Sequence, residues 1–271
     1  MNRSGSWTCV FALLAANTAD AQSPTLPEPV PWARSAINDW SRVPPADAEP
    51  RFAPPRSREL RLYNGLRVVV VENHRLPLVA LLLVVDGAGS AADPQGKPGL
   101  AAFTADLLDE SLLGGPDALE LDARKDELGA KIDIVTGHDQ STVHVLTLKR
   151  TLAPTLALLA DIVTRPAFSD GDAKRVHADR TTHLELKPDR PHEVADDVLA
   201  GALFGRDSAY GHPVDGVLAT FSQVTRDDAQ AFYADHFAPK RMTLVVAGDV
   251  TVAELAPLVH RFLHHFHALA D

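Results

Sequence analysis

Apolar residues alternate with polar ones on both sides of Asn64-Gly65, in the stretch Leu60-Arg61-Leu62-Tyr63-Asn64-Gly65-Leu66-Arg67-Val68-Val69-Val70-Val71. A two-residue Asn-Gly link between such segments predicts a tight antiparallel hairpin. Residues 78–85 form an unbroken apolar run ending at Asp86-Gly87, which predicts a strand buried on both faces. Glycines and prolines from 87 to 99 make a loop, and the run from Pro98 to Gly115 is helix-like. Asp117 is placed to cap a helix over 118–128. Leu128-Gly129-Ala130 then leads into a second hairpin, 131–148, that turns at Gly137-His138-Asp139.

Helical patterns follow at 151–163, with Pro154 tolerated in the opening turn, and at 170–186, 191–204 and 225–237. A strand at 242–247 and a helix at 252–266 close the chain. Strand pairs followed by runs of helices predict an α+β domain, with a mixed, mainly antiparallel sheet and helices packed mostly on one face.

Composition adds a compartment. Residues 1–21 carry Arg3, an apolar stretch 7–16 and Ala19-Asp20-Ala21 as a cleavage pattern, which reads as a secretory signal peptide. Prolines crowd residues 22–57. Each removes a backbone donor and fixes φ, so this segment is expected to be an extended arm rather than a helix or central strand. The domain is expected to span residues 58–271. Cys9, the single cysteine, lies within the signal, so an internal disulfide is not expected. A periplasmic or secreted location is expected.

The net charge of −10, with no basic run, argues against nucleic acid and against an anionic membrane surface as partners. No phosphate loop and no serine nucleophile elbow occurs. His260 and His264 stand at i, i+4. Without a glutamate between them they lack a general base, and a helix terminus with adventitious metal affinity is the reading.

The run Gly99-Leu100-Ala101-Ala102-Phe103-Thr104-Ala105-Asp106 resembles the zinc helix of the insulinase/pitrilysin metallopeptidases, which include the mitochondrial processing peptidases. That family carries an inverted motif, H-x-x-E-H, whose i, i+4 histidines hold zinc while the glutamate activates water. The hairpin at Asn64-Gly65, the Leu128-Gly129-Ala130 lead, Tyr210-Gly211-His212-Pro213 with Gly216, and the strand ending in Gly248-Asp249 are similar to family segments in the same order.

In that register the motif positions read Ala102, Ala105 and Asp106. The remaining ligand place, roughly 75 residues downstream, falls at His183, with Glu185 two residues on. A catalytic zinc needs three protein ligands and an open position. The resemblance therefore implies one half-subunit of the family type with no catalytic residues, no metal and no cofactor of its own. It would act as a structural or substrate-enclosing partner of a zinc-bearing family subunit, or as a homo-oligomer, with zinc supplied by the partner. The family's cleft-edge strand, which pairs with peptide backbone, corresponds to Lys131, Ile132, Asp133, Ile134, Val135 and Thr136. Two other readings stay open: a stand-alone periplasmic peptide-binding or scaffold protein, and a metallopeptidase with unusual ligands such as Asp106, His183 and Glu185.

Overall fold

The computed structural model describes residues 55–206, 208–263 and 266. The expected signal peptide, all but the last three residues of the proline-rich arm, and His264, His265 and His267 lie outside the described residues.

Among the described residues six strands make one sheet: β1 (Ser57–Arg61), β2 (Arg67–Glu72), β3 (Leu78–Asp86), β4 (Lys131–Thr136), β5 (Gln140–Leu148) and β6 (Met242–Gly248). Their order is β1-β2-β6-β3-β5-β4, with β2 and β6 parallel and every other pair antiparallel. The first hairpin turns at Asn64-Gly65, where Gly65 takes φ +92°, a conformation that costs glycine little. The Asn64 side chain accepts the Leu66 N–H at 3.2 Å and donates to the Leu263 carbonyl at 2.8 Å, tying the turn to the last helix.

The helices are α1 (Leu100–Leu108), α2 (Ala118–Leu128), α3 (Leu152–Thr164), α4 (Asp170–Leu186), α5 (Pro191–Phe204), α6 (Leu218–Phe221), α7 (Arg226–His236) and α8 (Val252–Leu263). α3 packs on β5 and α8, while α1 touches β4, α4 and α7. Val70, Leu81, Leu83, Val145 and Leu244 from the sheet share one core with Phe103, Leu107, Leu156, Leu159 and Val259 from the helices. Phe103 is 1% exposed and meets Phe221 edge-on at 5.9 Å. Burial of such a side chain contributes about 2–3 kcal/mol.

Two expectations are corrected. In β3, Val79, Leu81, Leu83 and Val85 are buried, but Leu78, Leu82 and Val84 are only half-buried and Ala80 is exposed. A continuous apolar run records apolar side chains on both faces; here the helices cover one of them. The helix-like run 98–115 is helical only to Leu108. Beyond it Ser111 donates to Asp172 at 2.5 Å and Glu110 pairs with Arg175, so the chain leaves the helix axis to reach α4.

Candidate functional site

Every residue of α1 is buried except Asp106. A nine-residue helix with one solvent-reaching side chain is a core element carrying a single displayed group. Its N-terminus is capped by Asp93, whose two carboxylate oxygens accept the N–H groups of Gly99 and Ala101, each at 2.7 Å. Burial pushes the Asp93 carboxyl up to about 6, against the pull of those two bonds.

Gly99 and Gly216 bring a second segment against this end of α1. A Cβ on Gly99 would stand 2.7 Å from the Gly216 Cα, and one on Gly216 would stand 2.6 Å from the Pro98 carbonyl oxygen. Their φ values are +94° and +98°. The contact sets Asp215 beside the cleft between α1 and α4.

That cleft, of about 610 Å³, is lined by Ala105, Asp106, Ile134, Arg180, His183 and Asp215 among others. Arg180, only 10% exposed, is its central cation. Its Nε donates to Asp106 Oδ2 at 3.1 Å, its Nη2 donates to the same oxygen, and its Nη1 donates to the Asp215 carbonyl at 3.2 Å. The Asp215 carboxylate lies 3.8 Å away. Asp106 keeps 41% of its side chain open to the cleft, yet the surrounding walls desolvate it and raise its carboxyl above the ordinary value, opposed chiefly by Arg180.

Of the positions that the family register assigns, Ala105, Asp106 and His183 line this cleft, and Ala102 does not. Ala102 and Ala105 are 4% and 2% exposed and offer no donor atom. Asp106 and His183 face the same cleft from α1 and α4. Glu185 is exposed and is not part of the cleft lining, so the ligand set Asp106, His183 and Glu185 is not assembled. His183 instead stands 3.9 Å from the carboxylates of both Glu193 and Asp215. Ligand atoms of these three residues lie within 4.8 Å of one another. A guanidinium already sits among them, however: Arg190 Nη1 is 3.0 Å from His183 Nδ1 and 3.2 Å from Glu193 Oε1.

A zinc ion therefore does not fit this donor set. Two of the motif places are methyl groups, the third is held by Arg180, and both carboxylate neighbours of His183 have an arginine within 4 Å. Neither arginine could be foreseen from a ligand motif, since each acts through tertiary contact rather than spacing.

Among the described residues β4 is the terminal strand of the sheet, and its Ile134 lines the cleft. Lys131, Asp133 and Val135 are exposed, Ile132 is buried, and Ile134 and Thr136 are half-buried. The β4–β5 turn at Gly137-His138-Asp139 is a connection of the predicted kind. It is braced by a hydrogen bond from the Tyr210 hydroxyl to Asp139 at 2.5 Å.

A family model described as "Insulinase (Peptidase family M16)" matches residues 67–212, more than half of the chain. The chain belongs to this family. A second model, "Peptidase M16 inactive domain", matches residues 223–269. An uncharacterized zinc protease of Mycobacterium bovis is 30% identical over 223 residues, 80% of this chain and 48% of that protein. The mitochondrial-processing peptidase subunit beta of Blastocladiella emersonii is 25% identical over 206 residues, 75% of this chain and 43% of that protein. The crystal structure of a peptidase M16 inactive domain from Pseudomonas fluorescens has a TM-score of 0.71 at 24% identity, covering 80% of this chain and 53% of that one. The chain spans about half the length of the curated relatives it matches. The M16 half-domain fold is thereby established, including the mainly antiparallel sheet with helices over one face.

Proposed function

We propose that this chain is a catalytically silent M16 protein that helps enclose a peptide beside a zinc-bearing subunit of the same family. The observation that carries the reading is the Arg180–Asp106 pair: the helix position where the family places its second histidine holds a carboxylate already neutralised by an internal guanidinium. With alanine at the other two motif positions, the motif offers no group to bind a metal-activated water or to take its proton. A partner would supply zinc and base. This chain would contribute the cleft wall and the outer edge of β4, because backbone pairing along 131–136 needs no particular side chain. The signal-like residues 1–21 support a periplasmic or extracellular site for this partnership.

Co-expression with a secreted relative that carries an intact H-x-x-E-H motif tests the reading. A stable complex whose peptidase activity exceeds that of the zinc-bearing subunit alone is expected. A zinc-bearing subunit that is fully active alone and forms no complex would overturn it.

A further inference from the structure

Asn64 is the one asparagine of the chain that is followed by glycine. In such a pair the glycine nitrogen can attack the asparagine side-chain carbonyl carbon. The N–Cγ bond forms, the Cγ–Nδ2 bond breaks and ammonia leaves; water then opens the cyclic imide to aspartate or isoaspartate. Glycine has no Cβ to obstruct the approach. The fold holds both reactants. Asn64 Nδ2 donates to the carbonyls of Leu263 at 2.8 Å and Phe266 at 3.0 Å, while Oδ1 accepts the Leu66 N–H at 3.2 Å. The Gly65 N–H is donated to the Leu62 carbonyl at 3.0 Å, and a Cβ on Gly65 would stand 3.2 Å from the Lys240 Cα.

We propose that Asn64-Gly65 is a deamidation site gated by α8: release of the α8 end sets the rate, water is the co-reactant, and the acidic product keeps that end from docking again. Attack at Cγ requires the carboxamide to turn, and the end of α8 is what pins it. The last carbonyls of a helix have no partner within it, and Asn64 supplies a side-chain donor there. Leu263 and Phe266 are 2% and 7% exposed and belong to the core, so the pin is withdrawn only when this end leaves the core. The product does not fit back. A carboxylate has no proton to donate, and at position 64 it faces two carbonyl oxygens. Isoaspartate also lengthens the main chain by a carbon in the turn that joins β1 to β2. Nothing in these steps involves the cleft.

Peptide mass spectrometry of the full chain, incubated at mildly alkaline pH, tests the gate. Deamidation at Asn64 is expected to run about tenfold slower in the folded chain than in urea. Phe266→Ala, which loosens the end of α8, should speed it about threefold over folded wild type, with the far-ultraviolet circular dichroism spectrum unchanged. Asn64→Asp stands in for the product. Its amides in the last turn of α8 should exchange about tenfold faster than in wild type, while those of β3 keep wild-type rates. Deamidation as fast in the folded chain as in urea, or none at all, overturns the proposal. So does an end of α8 that is as well protected in Asn64→Asp as in wild type.

Discussion

The guanidinium of Arg180 holds the carboxylate of Asp106 across 74 residues of sequence, joining α4 to α1 through two nitrogens on one oxygen. A zinc ion would bind these two helices through ligands from each. Here a side-chain cation makes the same crossing. The joint between α1 and α4 is thus made by a pairing of side-chain charges.

Removing the cation should cost stability. Arg180→Ala leaves Asp106 and Asp215 facing each other without their shared partner. A loss of about 2 kcal/mol is expected, against about 1 kcal/mol for Asp106→Ala, since Asp106 is partly open to solvent. Urea unfolding of both variants and of the double variant should give a coupling energy of about 1 kcal/mol. Strict additivity would mean the pair does not join the helices.

The glycine contact that carries Asp215 to the cleft should be intolerant. Gly99→Ala adds a Cβ 2.7 Å from the Gly216 backbone at φ +94°. It is expected to destabilise by about 2–4 kcal/mol. Gly96→Ala serves as the control: its φ is +85°, but no atom lies within 4 Å of the added carbon. Its cost should be only the backbone strain, about 1 kcal/mol. Equal losses would show that the close approach of Gly216 is not what requires glycine at position 99.

Asp93 gives a pH signature. Its folded pKa of about 6 lies above the ordinary 3.8, so between those values the folded state holds the proton more tightly than the unfolded one. Its contribution is therefore fully present below about pH 3.8 and is lost as pH rises through about 6. Relative to Asp93→Asn, wild type should lose up to about 3 kcal/mol across that interval. A difference that is flat with pH, or that rises, would contradict the assignment.

The hairpin at Asn64-Gly65 and the succession of helices were legible in the sequence because each rests on local spacing. The convergence of positions 106 and 183 came from the family register, which pairs α1 with α4. Arg180 and Arg190 were not legible: each sits among polar neighbours on its chain, and its role exists only once Asp106, Asp215 or Glu193 has been folded against it. The half-buried face of β3 escaped for a related reason, since an apolar run does not say what lies over it. Nor did the sequence show that Val198, Leu199 and Leu203 of α5 would lie exposed while Asp197 and Glu193 pair with Lys187 and Arg190.

Peptide pairing along β4 predicts a local protection pattern. Hydrogen exchange with and without an extended peptide should slow amides within 131–136, leaving the inner strands β3 and β6 unchanged. Protection confined to other elements would remove β4 from the peptide-binding surface.

Catalytic silence is decided by zinc stoichiometry. The protein is purified without chelator, equilibrated with zinc, desalted and measured by elemental analysis. Substoichiometric zinc that His183→Ala does not alter is the predicted result. One zinc per chain, lost on His183→Ala or Asp106→Ala, would contradict it.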